Sequence, residues 1–370
     1  MSTSQADVVQ RQHVTPPPSL TDQPLTPPLT DKKPFAGALH VIALFREIQQ
    51  GRNTTRDTQI EFELAEGEYD HIERTLQQDH VLWGYVQDKI RYDYDEDQCR
   101  LVVRMPTETH ELFIDAVEDD IRSQLKKIRN GSGKQAEFAQ KVRPARSTEI
   151  RFDTSALSSK SKYEPDASFK HKDAQYPGVI IEVAYSQKKK RLVRLAENYL
   201  LDSDANVRVV VGLDIAYGKE SRKATLSLWR PQLFDTPDGP ELRAVDMVVD
   251  EAFRDDEGNP VDHPGIQLRL SDFTSKGLAR KEIGDEDADI CISGIQLCRY
   301  IDAAESNVRR ALWTESLDNN VKKRKRSETP PEEIQSSDEA KYAKQEERAA
   351  KRTDCDTDYQ DKSSTKSLSD

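Results

Sequence analysis

A carboxylate set inside a run of β-branched residues constrains this chain more than any other feature. Val179-Ile-Ile-Glu-Val-Ala184 follows Pro177-Gly178, and such a run behind a Pro-Gly break reads as a central strand. Glu182 then sits inside the strand, and a buried carboxylate is unfavourable unless it is paired or holds a metal. Asp166, just after Pro165 at the mouth of a short apolar segment, is the nearest candidate to share a site with it. Two readings stay open from these residues alone. The two acids hold a cation, or Glu182 is merely paired with a basic residue at a strand end.

Only part of the chain can build a core around that strand. Of 370 residues, 35% are hydrophobic and 33% charged, and mean hydropathy is −0.81. That balance predicts a folded core of about 250 residues with disordered ends. The net charge of −12 counts against a simple high-affinity DNA binder, while leaving room for an enzyme with a local basic groove. Cys99, Cys291, Cys298 and Cys355 are scattered without a CxxC pair, which indicates neither a disulfide framework nor a cysteine zinc site. No apolar leader or membrane-length run is present, so an intracellular, soluble protein with no membrane partner is expected.

Along the chain, residues 1–33 form a Pro-rich arm, with Thr15-Pro-Pro-Pro18 and Thr26-Pro-Pro28. An extension over 34–84 holds a helix from Phe35 to Gln50, an alternating strand at Ile60–Leu64 and a helix over Glu68–Gln78. Val81 to Tyr94 is aromatic and β-branched. The proposed core, 85–275, opens with a hairpin of Lys89–Tyr94 and Arg100–Met105. A long helix follows from Pro106-Thr107 to about Arg129, with His110, Ile114, Val117, Ile121, Leu125 and Ile128 on one stripe. After a polar stretch comes a short strand at Thr148–Phe152. Beyond Gln187 a basic helix runs through Leu201, burying Leu192, Leu195, Ala196 and Tyr199. Strands are expected at Asn206–Ile215, Lys223–Trp229 and Ala244–Asp250, and Pro264–Asp272 closes the sheet region. Residues 276–318 read as a peripheral helical extension. Residues 319–370 read as a disordered charged tail carrying Lys322-Lys323-Arg324-Lys325-Arg326.

The expected fold class is therefore α/β, a mixed central sheet flanked by helices, with disordered N- and C-terminal tails. Two acids at its centre could hold a hard dication, Mg²⁺ or Mn²⁺, to polarise a scissile phosphate, and a nearby lysine could orient the water. The arrangement resembles the PD-(D/E)XK, restriction-endonuclease-like phosphodiesterase superfamily, whose signature is Pro-Asp, a spacer, then Asp/Glu-x-Lys. Pro165-Asp166 and Glu182-Val-Ala184 match it except that Ala184 stands in the lysine position. A fuller resemblance is to the Uma-type endonuclease family, carried by Arg100–Met105, His110, Pro165-Asp166, Glu182-Val-Ala-Tyr-Ser186, Lys188–Lys190, Tyr199 and Pro264–Asp272 in that order. It spans roughly 85–275.

The resemblance implies a metal-dependent nuclease acting on nucleic acid, DNA before RNA. The alternative is a catalytically degenerate module that binds nucleic acid or protein partners, and a third reading is an unrelated α/β interaction protein with Glu182 merely salt-bridged. On the nuclease reading Asp166 and Glu182 hold the metal. Lys188 or Lys190 replaces the missing lysine, and Glu118 or Glu111 supplies an extra acid, against the plainer reading of an exposed helical glutamate. Gln187, Lys189 and Arg191 are the candidate nucleic-acid contacts. His110, on the apolar stripe, reads as a satisfied core histidine before it reads as a ligand. Lys322–Arg326, beside Ser327 and Thr329-Pro330, suits a nuclear import signal read by an import receptor, and otherwise is a solvated charge cluster.

Overall fold

The structure, a computed structural model, describes residues 35–53, 57–152, 160–185, 189–216, 221–311 and 336–354. Along the chain run α1 (Ala36–Gln49), β1 (Gln59–Glu63), α2 (Glu68–Gln78), α3 (His80–Lys89), β2 (Arg91–Asp95) and β3 (Arg100–Arg104). Next come α4 (Glu108–Arg129), α5 (Lys134–Lys141), β4 (Val142–Pro144), β5 (Ile150–Arg151), β6 (Lys162–Tyr163), β7 (Ala167–His171) and β8 (Val179–Tyr185). Then follow α6 (Lys189–Asp202), β9 (Val209–Ile215), β10 (Ala224–Thr236), β11 (Gly239–Arg254) and β12 (Ile266–Arg269). After a 3₁₀ turn at Leu270–Phe273 come α7 (Lys276–Glu282), β13 (Asp289–Ile292), α8 (Gly294–Ala311) and α9 (Ser336–Asp354). The expected α/β class is what forms.

Two larger sheets meet in the unit that ends at Trp313. The central one has the order β11-β10-β9-β8-β7-β4. Every pair in it is antiparallel except β8 and β9, which α6 joins as a parallel crossover. Alternation along β8 sorts its side chains. Val179, Ile181 and Val183 pack with the α4 stripe of Phe113, Ile114, Val117, Ile121 and Leu125. Ile180 and Ala184 face the other way, into a cluster with Leu192, Leu195, Ala196 and Tyr199 of α6. Glu182 falls on that second face. The α4 helix starts where the Thr107 side chain accepts from the His110 N–H, and its end charges suit the helix dipole: Glu108 and Glu111 first, Lys126, Lys127 and Arg129 last.

The second sheet, in the order β1-β3-β2-β6-β5, carries a core of its own on one face. Tyr92, Tyr94, Leu101 and Val103 pack there against α1, α2 and α3. The opposite face presents Arg91, Asp93, Asp95, Arg100, Val102 and Arg104. It is not solvated: Asp93, Asp95, Arg100 and Val102 line a narrow cleft with Arg191, Arg194 and Asn198 of α6.

Several stretches differ from the sequence reading. The polar stretch after Gly133 forms α5 and β4, which bury Ala136, Phe138, Ala139 and Val142 against α4. The β-branched stretch from Val81 begins as a helix, because Asp79 caps α3 by accepting from the Leu82 N–H. Residues 276–304 are central, since Ile283, Ile290, Ile292, Leu297, Ile301 and Ala304 belong to the cluster that holds β8 and β9. The Pro177-Gly178 break serves that packing. A Cβ on Gly178 would collide with Asp272 O and Phe273 C, so the 3₁₀ turn seats directly on its backbone. Pro264–Asp272 contributes β12, which pairs with β13 in a separate two-stranded sheet and does not extend the central one.

Residues 314–370 form a second unit. Within this charged segment, expected to be disordered, α9 is helical because Ala, Lys, Glu, Gln and Arg are strong helix formers. Lys322–Arg326 and the arm 1–33 lie outside the described residues.

Candidate functional site: a buried carboxylate centre closed by an arginine

The two sheets converge on Asp166 and Glu182. Asp166 immediately precedes β7, and its Oδ2 accepts from the Val183 N–H at 2.8 Å, which fixes the side chain against β8. Glu182 is 2% exposed, and its Oε1 accepts from the Tyr199 hydroxyl at 2.7 Å. The sequence pairing of these two acids is thus brought together in space, and what joins them is a guanidinium. Arg104 Nη1 donates to Glu182 Oε2 at 2.9 Å and to Asp166 Oδ1 at 3.3 Å. Its Nη2 donates to Asp93 Oδ1 at 3.0 Å and to the Glu164 carbonyl.

Strand geometry explains how an arginine from one sheet reaches the acids of another. Arg104 pairs with Arg91 across the β2–β3 ladder, and Asp93 lies two residues on along the same face. The three therefore project together toward the end of β8. Arg91 reaches Asp166 Oδ1 at 4.0 Å and Glu111 at 3.1 Å. His110, in the first turn of α4, places Nε2 3.2 Å from Asp166 Oδ2. Arg191, at the start of α6, closes on the remaining oxygen of Asp93. A small cleft lined by Thr58, Gln59, Arg91, Arg104, Pro106, His110, Asp166 and Val183 leads to this centre.

Charge divides unevenly between the acids. Burial pushes both carboxyls up, but His110 and Arg104 outweigh it at Asp166 and hold that carboxyl well below its ordinary range. At Glu182 burial dominates, Arg104 opposes it, and the nearby Asp166 and Asp93 add to it, so the carboxyl is pushed up to about 8. Burial would lower His110, yet Asp166 and Glu111 raise it to about 9, which makes it an imidazolium at neutral pH. The Tyr199 hydroxyl is driven far up by burial and by Glu182, and so acts only as a donor there.

The cluster does not fit Mg²⁺ or Mn²⁺ as it stands, because the space where both acids could grip a dication holds the Arg104 guanidinium. A hard cation needs about six oxygen ligands at close range, and a fixed positive charge beside it opposes binding.

The other expected site residues are distributed differently. Glu118 is buried one helical face away, 3.9 Å from Arg146; burial raises it, and its charged neighbours are Arg146, Arg122, Asp115 and Asp119, not the two acids. Arg191 is only 11% exposed on its side chain and is committed to Asp93, so it is a structural cation here and not an open contact for nucleic acid. Gln187 and Lys188 lie outside the described residues, as do the side chains of Lys189 and Lys190. His110, read as a core histidine, is buried and belongs to the centre. Arg104, Asp93 and Arg91 were not singled out from the sequence. Their one signal was the charged register of the hairpin, Arg91-x-Asp93 facing Arg104. Among the described residues no helix is long and apolar enough to cross a membrane.

No protein-family model matches this chain, and no curated protein matches it either.

Proposed function

We propose that the chain is a catalytically degenerate restriction-endonuclease-like module that binds nucleic acid, DNA before RNA, without cutting it. The observation that carries this reading is Arg104, whose guanidinium contacts Glu182 at 2.9 Å and Asp166 at 3.3 Å where a nuclease would hold its ion. Ala184 in the signature's lysine position supports it from the sequence side. The lysine run Lys188–Lys190, directly after β8, supplies backbone-binding charge in an otherwise acidic chain. Lys322–Arg326 supports a nuclear location, which suits a DNA ligand.

The competing reading, a Mg²⁺- or Mn²⁺-dependent nuclease, draws support from the convergence of Asp166, Glu182 and His110 at one cleft. One assay separates the two: labelled single- and double-stranded DNA incubated with the full chain, with Mg²⁺ or Mn²⁺ or with chelator, and Asp166→Asn alongside. The module reading expects retention of DNA in chelator and no cutting with either ion. Ion-dependent cutting that disappears in Asp166→Asn overturns it in favour of the nuclease. Neither cutting nor retention overturns both and leaves a protein partner.

A further inference from the structure

A second cluster of ligand-type side chains lies apart from this centre, where the turn after β7 meets the end of α7. His171 ends β7, Asp173 stands in the turn and Glu282 ends α7, with one nitrogen or oxygen of each inside 4.8 Å of the others. His171 is 0% exposed, lies against Phe138 with ring centroids 4.8 Å apart, and its Nε2 has no hydrogen-bond partner among the described residues. That nitrogen points at the cluster, 3.3 Å from Glu282 Oε2. Two ligands on one tetrahedral cation, each about 2.0–2.1 Å from it, stand about 3.3 Å apart. The spacing is that of a metal's neighbouring ligands as much as of an ion pair.

The surroundings leave one oxygen of each carboxylate available to the cluster. Lys141 Nζ holds Glu282 Oε1 at 2.8 Å, which orients the carboxylate and leaves Oε2 facing the imidazole. Among the described residues the Asp173 carboxylate makes one ion pair, with Lys172 at 4.0 Å on the surface. Unlike the Asp166–Glu182 centre, no guanidinium occupies this space among the described residues.

We propose that His171 Nε2, Glu282 Oε2 and one Asp173 carboxylate oxygen form a site for a zinc-type dication, with water completing the coordination. An imidazole with two carboxylates selects a borderline metal over Mg²⁺, which prefers oxygen alone. Ligation at Nε2 moves the ring proton to Nδ1, so the Asp173 N–H that now donates to Nδ1 at 3.2 Å releases it as the exposed turn closes on the ion. The ion would pin the β7 turn to α7, and so tie the C-terminal segment to the central sheet. This inference stands independently of what the chain binds at its carboxylate centre.

The test is zinc titration of the chelator-stripped full chain against a competing indicator, with Asp173→Ala, His171→Gln and Asp166→Asn in parallel. Expected are one zinc equivalent, a zinc-dependent rise in melting temperature, and no competition from excess Mg²⁺. Asp173→Ala, in an exposed turn that keeps the fold, should lose roughly tenfold or more in affinity, and Asp166→Asn should lose none. No binding by the wild type overturns the proposal. So does binding unchanged in both Asp173→Ala and His171→Gln, or binding lost in Asp166→Asn but kept in Asp173→Ala.

Discussion

The Asp166–Glu182 centre and the His171–Asp173–Glu282 cluster answer the same electrostatic problem differently. Both gather carboxylates and an imidazole against the central sheet. At the first, the chain supplies its own counter-charge: Arg104 bridges two acids, Asp93 takes its other side, and His110 is charged. At the second, the chain supplies Lys141, which takes a single oxygen of Glu282. The lesson concerns burial. Acids as deep as Asp166 and Glu182 rely on a proton or on a cation that the chain supplies itself, whereas Asp173 at the surface can take one from solution.

The sharpest way to break this comparison is Arg104→Met. Removing the guanidinium leaves Asp166, Glu182 and Asp93 facing one another in a buried site, and should cost about 3–5 kcal/mol in denaturant unfolding. The double variant Arg104→Met with Glu182→Gln should regain part of that loss, because one of the three acids left facing one another becomes a permanently neutral amide. An Arg104→Met protein that unfolds like the wild type would show that the guanidinium is not the centre's counter-ion. If that variant instead gains Mg²⁺ or Mn²⁺ affinity, the arginine is a substitute for an ion that the geometry still remembers.

Next in size is the pH response. Glu182 is raised from 4.5 to about 8, so its contribution is fully present below pH 4.5 and drains away as pH climbs through 8. His110 is raised from 6.5 to about 9, so its contribution is present below pH 6.5 and lost as pH passes 9. Both run the same way, and stability should fall by on the order of a few kcal/mol between pH 6 and 10. Glu182→Gln should flatten that slope at its lower end. Asp166 works oppositely: its lowered carboxyl stabilises above about pH 4 and the contribution is lost on further acidification. An unfolding midpoint unchanged from pH 6 to 10 would contradict both assignments.

Tyr199→Phe should have a smaller effect, about 1–2 kcal/mol, because one buried hydrogen bond to Glu182 goes while the ring stays packed. Its signature is a steeper alkaline loss, since Glu182 would be left with a less satisfied charge. Removing residues 319–370 should leave the melting temperature of the first unit unchanged. On the import reading, it should also move a tagged protein out of the nucleus; retention there would remove Lys322–Arg326 from that role.

Much of this was legible in the chain because short-range patterns carry it. The α2 helix falls where the spacing puts it, over Glu68–Gln78, and the α4 stripe and α6 face bury the residues their periodicity selects. Pro165-Asp166 and Glu182 were found by a local oddity, acids beside or inside apolar runs. Arg104 was not, because Arg91-Tyr-Asp-Tyr-Asp95 alternates as a half-solvated strand does. Its polar face turned out to meet α6. Nor did local pattern reveal that 276–304 completes the core, since that depends on its packing against α4, far back along the chain.

The sequence by itself therefore determined which residues face which side of each helix and strand, since periods of 3.6 and 2 are local. It also determined that Glu182 needed a partner. Only the tertiary structure decided who that partner is. Bringing β3 over the end of β8 places Arg104 between acids 62 and 78 residues away, and which cation arrives first at a buried carboxylate is settled by how two sheets dock, not by any spacing along the chain.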